Sequence, residues 1–190
     1  MMHAVEVEFD ADHPLMEAIQ QRDSHAMAEL IQRHGRWVRG VIFAVIGRTD
    51  EVDDIAQKVW IRVWNQAGGL EDVTRWRSWL YRVARNTATD AIRGRQRRRR
   101  LLGRFFDYRG QGRQHAPAAE QSILADERQQ AVIDAIAALP ALYREPFVLK
   151  HLEEWSYKQI GQALDLPVDT VETRLVRARR LLRERLAGKV

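Results

Sequence analysis

Thr170, Thr173, Val176, Arg177 and Arg180 fall within eleven residues, at spacings that gather them on one side of a helix. Those types suit a DNA major groove. Arginine matches guanine edges or phosphates, threonine hydroxyls suit the backbone, and the valine methyls suit thymine. Arg82, Arg85, Thr89, Arg93 and Arg97 form a second cationic strip at the same period. A cationic helix face of this kind can meet the phosphates of a nucleic acid. Trp60 and Trp64 form a third set, an aromatic strip adjoining the apolar positions Ile55, Val59 and Val63.

Covalent or metal chemistry finds no comparable support. The six histidines, at 3, 13, 25, 34, 115 and 151, contain no metal-ligand pairing such as H-E-x-x-H. Neither a glycine-rich phosphate loop nor a G-x-S-x-G elbow occurs. Acidic pairs such as Asp53-Asp54 sit at a helix start, where the helix dipole explains them. The chain reads as a non-enzyme with no cofactor.

The charge is arranged in blocks. Its net value is only +5, yet residues 82–113 hold eleven arginines against two aspartates, and residues 174–190 hold six arginines and one lysine against one glutamate. Two basic blocks in an otherwise acidic chain are the electrostatic footprint of a phosphate polymer. Hydrophobic residues make up 45%, enough for packed cores. The absence of cysteine rules out disulfides and thiolate sites and fits a reducing cytosol. With no long apolar run and an acidic N-terminus, a cytoplasmic protein without membrane insertion is expected.

Elements that would position these residues are all helical. One helix is predicted from Ser24 as N-cap to Gly47, with Met27, Leu30, Ile31, Trp37, Val38, Val41, Ile42 and Val45 buried. A second, acidic at its start, carries Ile55, Val59 and Val63 inward and stops at Gly68-Gly69. A third begins near Thr74, buries Trp76, Leu80, Val83, Thr87 and Ala91, and turns its arginines outward. Trp76 and Trp79 are read as core. Residues 98–125 lose this periodicity and read as a linker, although Leu101, Leu102, Phe105 and Phe106 could dock. Beyond it, one helix ends at Pro140, and another runs from about 142 to 154, kinked or delayed by Pro146. Ser156-Tyr157-Lys158-Gln159 is a capping box, and Asp165-Leu166-Pro167 breaks the helix that it opens. Asp169 and Glu172 suggest a second box opening a helix to about Leu186. Two short helices around so tight a turn make a helix-turn-helix.

Two segments then resemble one family. LPALYREPFVLKHLEEWSYKQIGQALDLPVDTVETRLVRARRLL is similar to the promoter-binding C-terminal domain of extracytoplasmic-function (ECF) sigma factors of the sigma-70 family. DEVDDIAQKVWIRVW and WRSWLYRVARNTATDAIRGRQRR resemble the two signatures of its N-terminal domain. The resemblance implies an all-α fold of two small domains: a tail at 1–22, region 2 at 23–97, a flexible linker at 98–125, and region 4 at 126–190. It implies that Thr170, Thr173, Arg174, Val176, Arg177 and Arg180 read the minus-thirty-five element, with Arg174 and Arg177 matching the motif's arginines. Arg82, Arg85, Asn86 and Arg93 would hold the melted minus-ten element, and loop 65–73 would capture a flipped base. Asp54, Gln57, Trp60, Arg62 and Trp64 would dock on the β′ clamp of RNA polymerase core, whose β flap is a further partner. The linker would thread polymerase toward its active site and RNA exit path. An anti-sigma factor, often membrane-anchored, would control the whole in a stress or envelope response.

Three positions depart from the pattern. Asp169 replaces a glycine, Glu172 a basic residue and Lys58 a glutamate. A carboxylate facing phosphates is repelled, so Glu172 is expected to complete a capping box with Asp169 rather than touch the backbone, or else to accept from cytosine N4. The rival reading is a conventional helix-turn-helix transcriptional regulator, which accounts for the C-terminal third but not for a separate cationic helix before it.

Overall fold

The computed structural model describes residues 12–102, 123–151 and 154–187. These form eight α-helices and no strand: α1 (His13–Gln20), α2 (Ser24–Ile46), α3 (Val52–Gln66), α4 (Trp76–Leu102), α5 (Ile123–Ala137), α6 (Ala141–His151), α7 (Tyr157–Leu164) and α8 (Val168–Leu186).

Helix α2 starts at Ser24 itself, and its cap is Asp23, one residue before the expected one. Asp23 accepts from the backbone N–H of His25 (2.7 Å) and Ala26 (3.2 Å), where its charge also meets the positive end of the helix dipole. Gly47 ends α2 as predicted, in the left-handed conformation with φ 67°. The expected stripe of α2 is buried except for Ile31, which is 36% exposed because it follows Leu30 by a 100° turn off the inward face.

The N-terminal segment is not all tail. Pro14 opens α1, and Met16 and Ile19 are fully buried. The Gln20 side-chain amide donates to the carbonyls of Ala67 (3.1 Å) and Leu70 (2.8 Å), so α1 pins the loop after α3. Asp72 accepts from Thr74 N at 3.0 Å, and a 3₁₀ turn (Val73–Arg75) delays α4 to Trp76, two residues later than predicted. Trp76, Leu80, Val83 and Thr87 are buried along α4, and Ala91 is half-buried. The helix runs on to Leu102, so the first residues of the expected linker are helical. Phe105 and Phe106 lie outside the described residues.

Helix α6 spans Pro146 without starting after it, and ends at His151, short of 154. Ser156 and Gln159 form the predicted capping box, with Ser156 N donating to Gln159 Oε1 (2.8 Å) and Gln159 N to Ser156 Oγ (3.2 Å). The second box does not form. Pro167 is the N-cap of α8, with no side-chain bond, because its ring presets the φ of −58° and the chain has already turned at Asp165 (φ 56°).

Helices α1–α4 form one module and α5–α8 another. They meet along α2 and α6, and one apolar cluster continues from Leu30, Trp37 and Val41 of α2 and Leu80 of α4 into Leu149, Trp155, Ile160 and Leu175. A smaller cluster, Ala135, Leu139, Ala178 and Leu182, ties α5 to α8.

Candidate nucleic-acid interfaces

The helix-turn-helix is set by its turn. Asp165 caps α7 in the left-handed conformation, and Leu166 N donates to Gly161 O at 2.8 Å. A Cβ on Gly161 would stand 2.7 Å from Leu166 O, so the missing side chain lets the turn close. Helix α8 then buries Val171, Leu175, Ala178 and Leu182, the inward set predicted from their spacing. Thr173, Val176, Arg177 and Arg180 are exposed, and Thr170 and Arg174 lie half-buried at the edge of that face. Thr173 Oγ1 donates to Asp169 O at 2.8 Å within the helix. Arg180 approaches Glu184 at 3.5 Å, an exposed pair worth little in water. Glu172 is exposed in the second turn of α8, and with Pro167 as cap it has no capping duty.

The second cationic face lies on α4. Arg82, Asn86 and Arg93 are exposed and Arg85 is half-buried. Together with Trp79, Thr89, Arg62 and Gln66 they line one open groove. Trp76 is 1% exposed and belongs to the core, whereas Trp79 is half-buried with its ring at the groove. Arg85 is not free in it: its Nε donates to Glu145 Oε2 of α6 at 2.9 Å, and that bond raises its pKa further above the ordinary guanidinium value. Loop 65–73 borders the same end of the module, tied by Gln20 and by Arg22, which donates to Trp64 O at 2.7 Å.

The third set divides. Asp54 and Gln57 are exposed on α3. Trp64 is half-buried beneath the Arg22 guanidinium, 5.5 Å from its ring centroid. Arg62 turns toward α4 and donates to Asp90 (3.0 Å) and Thr87 Oγ1 (3.1 Å). Trp60, expected at the partner surface, is 8% exposed and packs in the core, because it widens the stripe of Ile55, Val59 and Val63 by one position. The exposed strip that sequence reasoning missed ends in Ile61, 60% exposed, three and four residues from Lys58 and Gln57 and seven from Asp54.

Also unanticipated is the cluster where the modules meet. Arg144, 7% exposed, donates to the carbonyls of Ala44 (2.7 Å) and Val45 (2.9 Å) at the end of α2, and to Ala137 (2.6 Å) and Leu139 (3.0 Å) at the end of α5. Burial lowers its pKa, but two helix C-termini, each the negative end of a dipole, accept its protons. Gly47 leaves the space: a Cβ there would lie 2.3 Å from the guanidinium. An Arg-Glu pair between the apolar residues Tyr143 and Phe147 is the only trace of this cluster in the sequence.

Residues 30–98 match the family model "Sigma-70 region 2", and residues 129–182 match "Sigma-70, region 4". The chain is 28% identical over 180 residues to the ECF RNA polymerase sigma-E factor of Haemophilus influenzae, covering 92% of this chain and 95% of that one. Its fold superposes on CnrH in complex with the cytosolic domain of CnrY with TM-score 0.66, at 24% identity, over 95% of this chain and 99% of that one. It also superposes on the sigma factor RpoE in complex with the anti-sigma factor NepR from Bartonella quintana with TM-score 0.64, at 19% identity, over 86% and 98%. Among the described residues no helix is long and apolar enough to cross a membrane.

Proposed function

The chain belongs to the sigma-70 family, among its ECF RNA polymerase sigma factors, and from that premise we propose how its surfaces divide the work of starting transcription. Region 2, taken as 23–97, holds the melted minus-ten strand along Arg82, Arg85, Asn86 and Arg93, with Trp79 as the adjoining stacking wall. Region 4, taken as 126–190, reads the duplex minus-thirty-five element with Thr170, Thr173, Arg174, Val176, Arg177 and Arg180. Asp54, Gln57, Arg62 and Trp64, joined by Ile61, dock on the β′ clamp, and region 4 meets the β flap. The chain works in the cytoplasm as an initiation factor rather than an enzyme, and a membrane-anchored anti-sigma factor holds it in check.

One observation carries this reading: the chain offers two cationic helix faces of different character. That of α8 exposes Thr173, Val176, Arg177 and Arg180 and is backed by a closed helix-turn-helix, which suits a groove in paired DNA. That of α4 lines an open groove beside a tryptophan ring, which suits a track for unpaired bases. A conventional regulator needs only the first.

Reconstitution with core polymerase tests it. Run-off transcription on a pool of genomic promoters should give start-site-specific transcripts only when this chain is added. The chain alone should bind duplex promoter DNA weakly. Tight binding by the chain alone, with no specific transcripts and no isolable complex with core polymerase, would instead identify a regulator.

A further inference from the structure

Arg144 and Glu145 are adjacent residues on α6 of the C-terminal module, and both reach into the N-terminal module. Arg144 seats its guanidinium on the last carbonyls of α2, about a hundred residues away in the chain. Glu145, 9% exposed, pairs with Arg85 of the α4 groove. Four residues past the end of α6, Trp155 stacks on Trp37 of α2, with ring centroids 6.1 Å apart and planes inclined by 24°. Tyr81 of α4 also lies against Trp155, with ring centroids 5.6 Å apart.

We propose that this contact is an autoinhibitory clasp: the region 4 module folds back on region 2, and the Glu145 carboxylate occupies the Arg85 guanidinium that a single DNA strand would otherwise take. The occlusion rests on the assignment of Arg85 to the minus-ten strand; the clasp itself does not. A carboxylate and a phosphate are alternative acceptors for the same fork, so closure and strand binding compete. The clasp is selective. It takes up Arg85 alone in the α4 groove, leaving Arg82, Asn86 and Arg93 exposed beside it, and it leaves Val176, Arg177 and Arg180 of α8 exposed as well. It is also built to release. The indole N–H groups of Trp37 and Trp155 are buried there without an acceptor among the described residues, and each regains one when the modules part.

The absence of cysteine makes a clean distance measurement possible. Spin labels on Gln32→Cys and Gln162→Cys, exposed positions of α2 and α7, report the separation of the modules in the full chain. Wild type should give one short distance. Glu145→Arg sets like charges against Arg85 and should shift the distribution to longer, broader distances. The charge swap Arg85→Glu/Glu145→Arg should restore the short one, and circular dichroism should show the same helix content in all three. If Glu145→Arg leaves the distances as in wild type, or if the swap fails to restore them, there is no clasp.

Strand competition is read separately, with a fluorescein-labelled random-sequence twelve-nucleotide single strand at fixed salt. Glu145→Gln should bind it about fivefold more tightly than wild type, since apparent affinity scales with the fraction of open chain. In an Arg85→Ala background the same change should bring no gain. A gain that persists there overturns the role of Arg85 in strand binding, and with it the occlusion, while the distances still decide the clasp.

Discussion

Trp155 and Trp37, one from each module, lie stacked with their centroids 6.1 Å apart and their planes 24° from parallel. The Arg77 guanidinium is 5.6 Å from the ring centroid of Trp37 and 5.7 Å from that of Trp155. Trp155 is 5% exposed, so its loss leaves a large cavity at the junction. Trp155→Ala should cost about 3 kcal/mol in urea denaturation, within the usual range for deleting a buried aromatic ring. Trp155→Phe keeps a ring in the stack and removes an indole N–H that has no acceptor among the described residues, so it should cost less than about 1.5 kcal/mol. Equal losses from the two variants would show that the stack contributes nothing beyond the shape of the indole.

His34 gives the fold a pH dependence whose sign can be worked out. Its ring lies 4.9 Å from that of Trp76, and its Nε2 is 2.8 Å from Asp12. The carboxylate favours imidazolium, but burial outweighs it and holds the pKa below the ordinary value of about 6.5. Between the two values the unfolded chain binds the proton more readily than the folded one, so stability rises with pH. The contribution is whole above about pH 6.5, erodes as the pH falls below that value, and is gone beneath the folded pKa. Urea midpoints should therefore drop between about pH 7 and 5, and drop less in His34→Gln; parallel curves would show that His34 does not titrate in this window.

On α8, Arg177 is the exposed cation nearest the middle of the outward face. Arg177→Ala should weaken use of the minus-thirty-five element by about 1–3 kcal/mol in holoenzyme–promoter binding, the worth of one bidentate base contact. Complex formation with core polymerase, followed by gel filtration, should not change. Lysine should not rescue the variant, since it lacks the planar fork.

Asp165 holds a left-handed conformation (φ 56°, ψ 53°) at the turn of the helix-turn-helix. That region strains an L-residue by roughly 1–2 kcal/mol, less for aspartate, and glycine adopts it freely. Asp165→Gly should raise stability by about 0.5–1 kcal/mol and the melting temperature by a few degrees. A lower melting temperature would mean that the carboxylate contributes more than the strain costs.

Wherever a local period decided the outcome, the sequence was enough. The inward set of α8, the Ser156–Gln159 box and the left-handed Gly47 all follow from neighbours within a turn or two. Misreadings arose where two local signals competed. Trp60 carries both an aromatic anchor's chemistry and a near-stripe position, and packing chose the stripe. Asp169 could have capped α8, but Pro167 already fixed the entry. Helix α1, eight residues long, is held by Gln20 reaching the loop at Ala67 and Leu70, a tie 47 and 50 residues long that no window around α1 contains. Arg144 and Glu145 were illegible for the same reason, since their partners lie 99, 100 and 60 residues away.

The hydroxyl proton of Thr173 is committed to Asp169 O inside its own helix. What remains for a visitor at that point of α8 is a pair of lone pairs and a methyl group. An exocyclic amine such as that of adenine can be received there, and the methyl of thymine can be touched. Guanine's O6 and N7, being acceptors themselves, find nothing to take from it. Where α8 enters a groove with Thr173 toward a base, as proposed, the intrahelical bond would bias that position before the arginines on either side come into play.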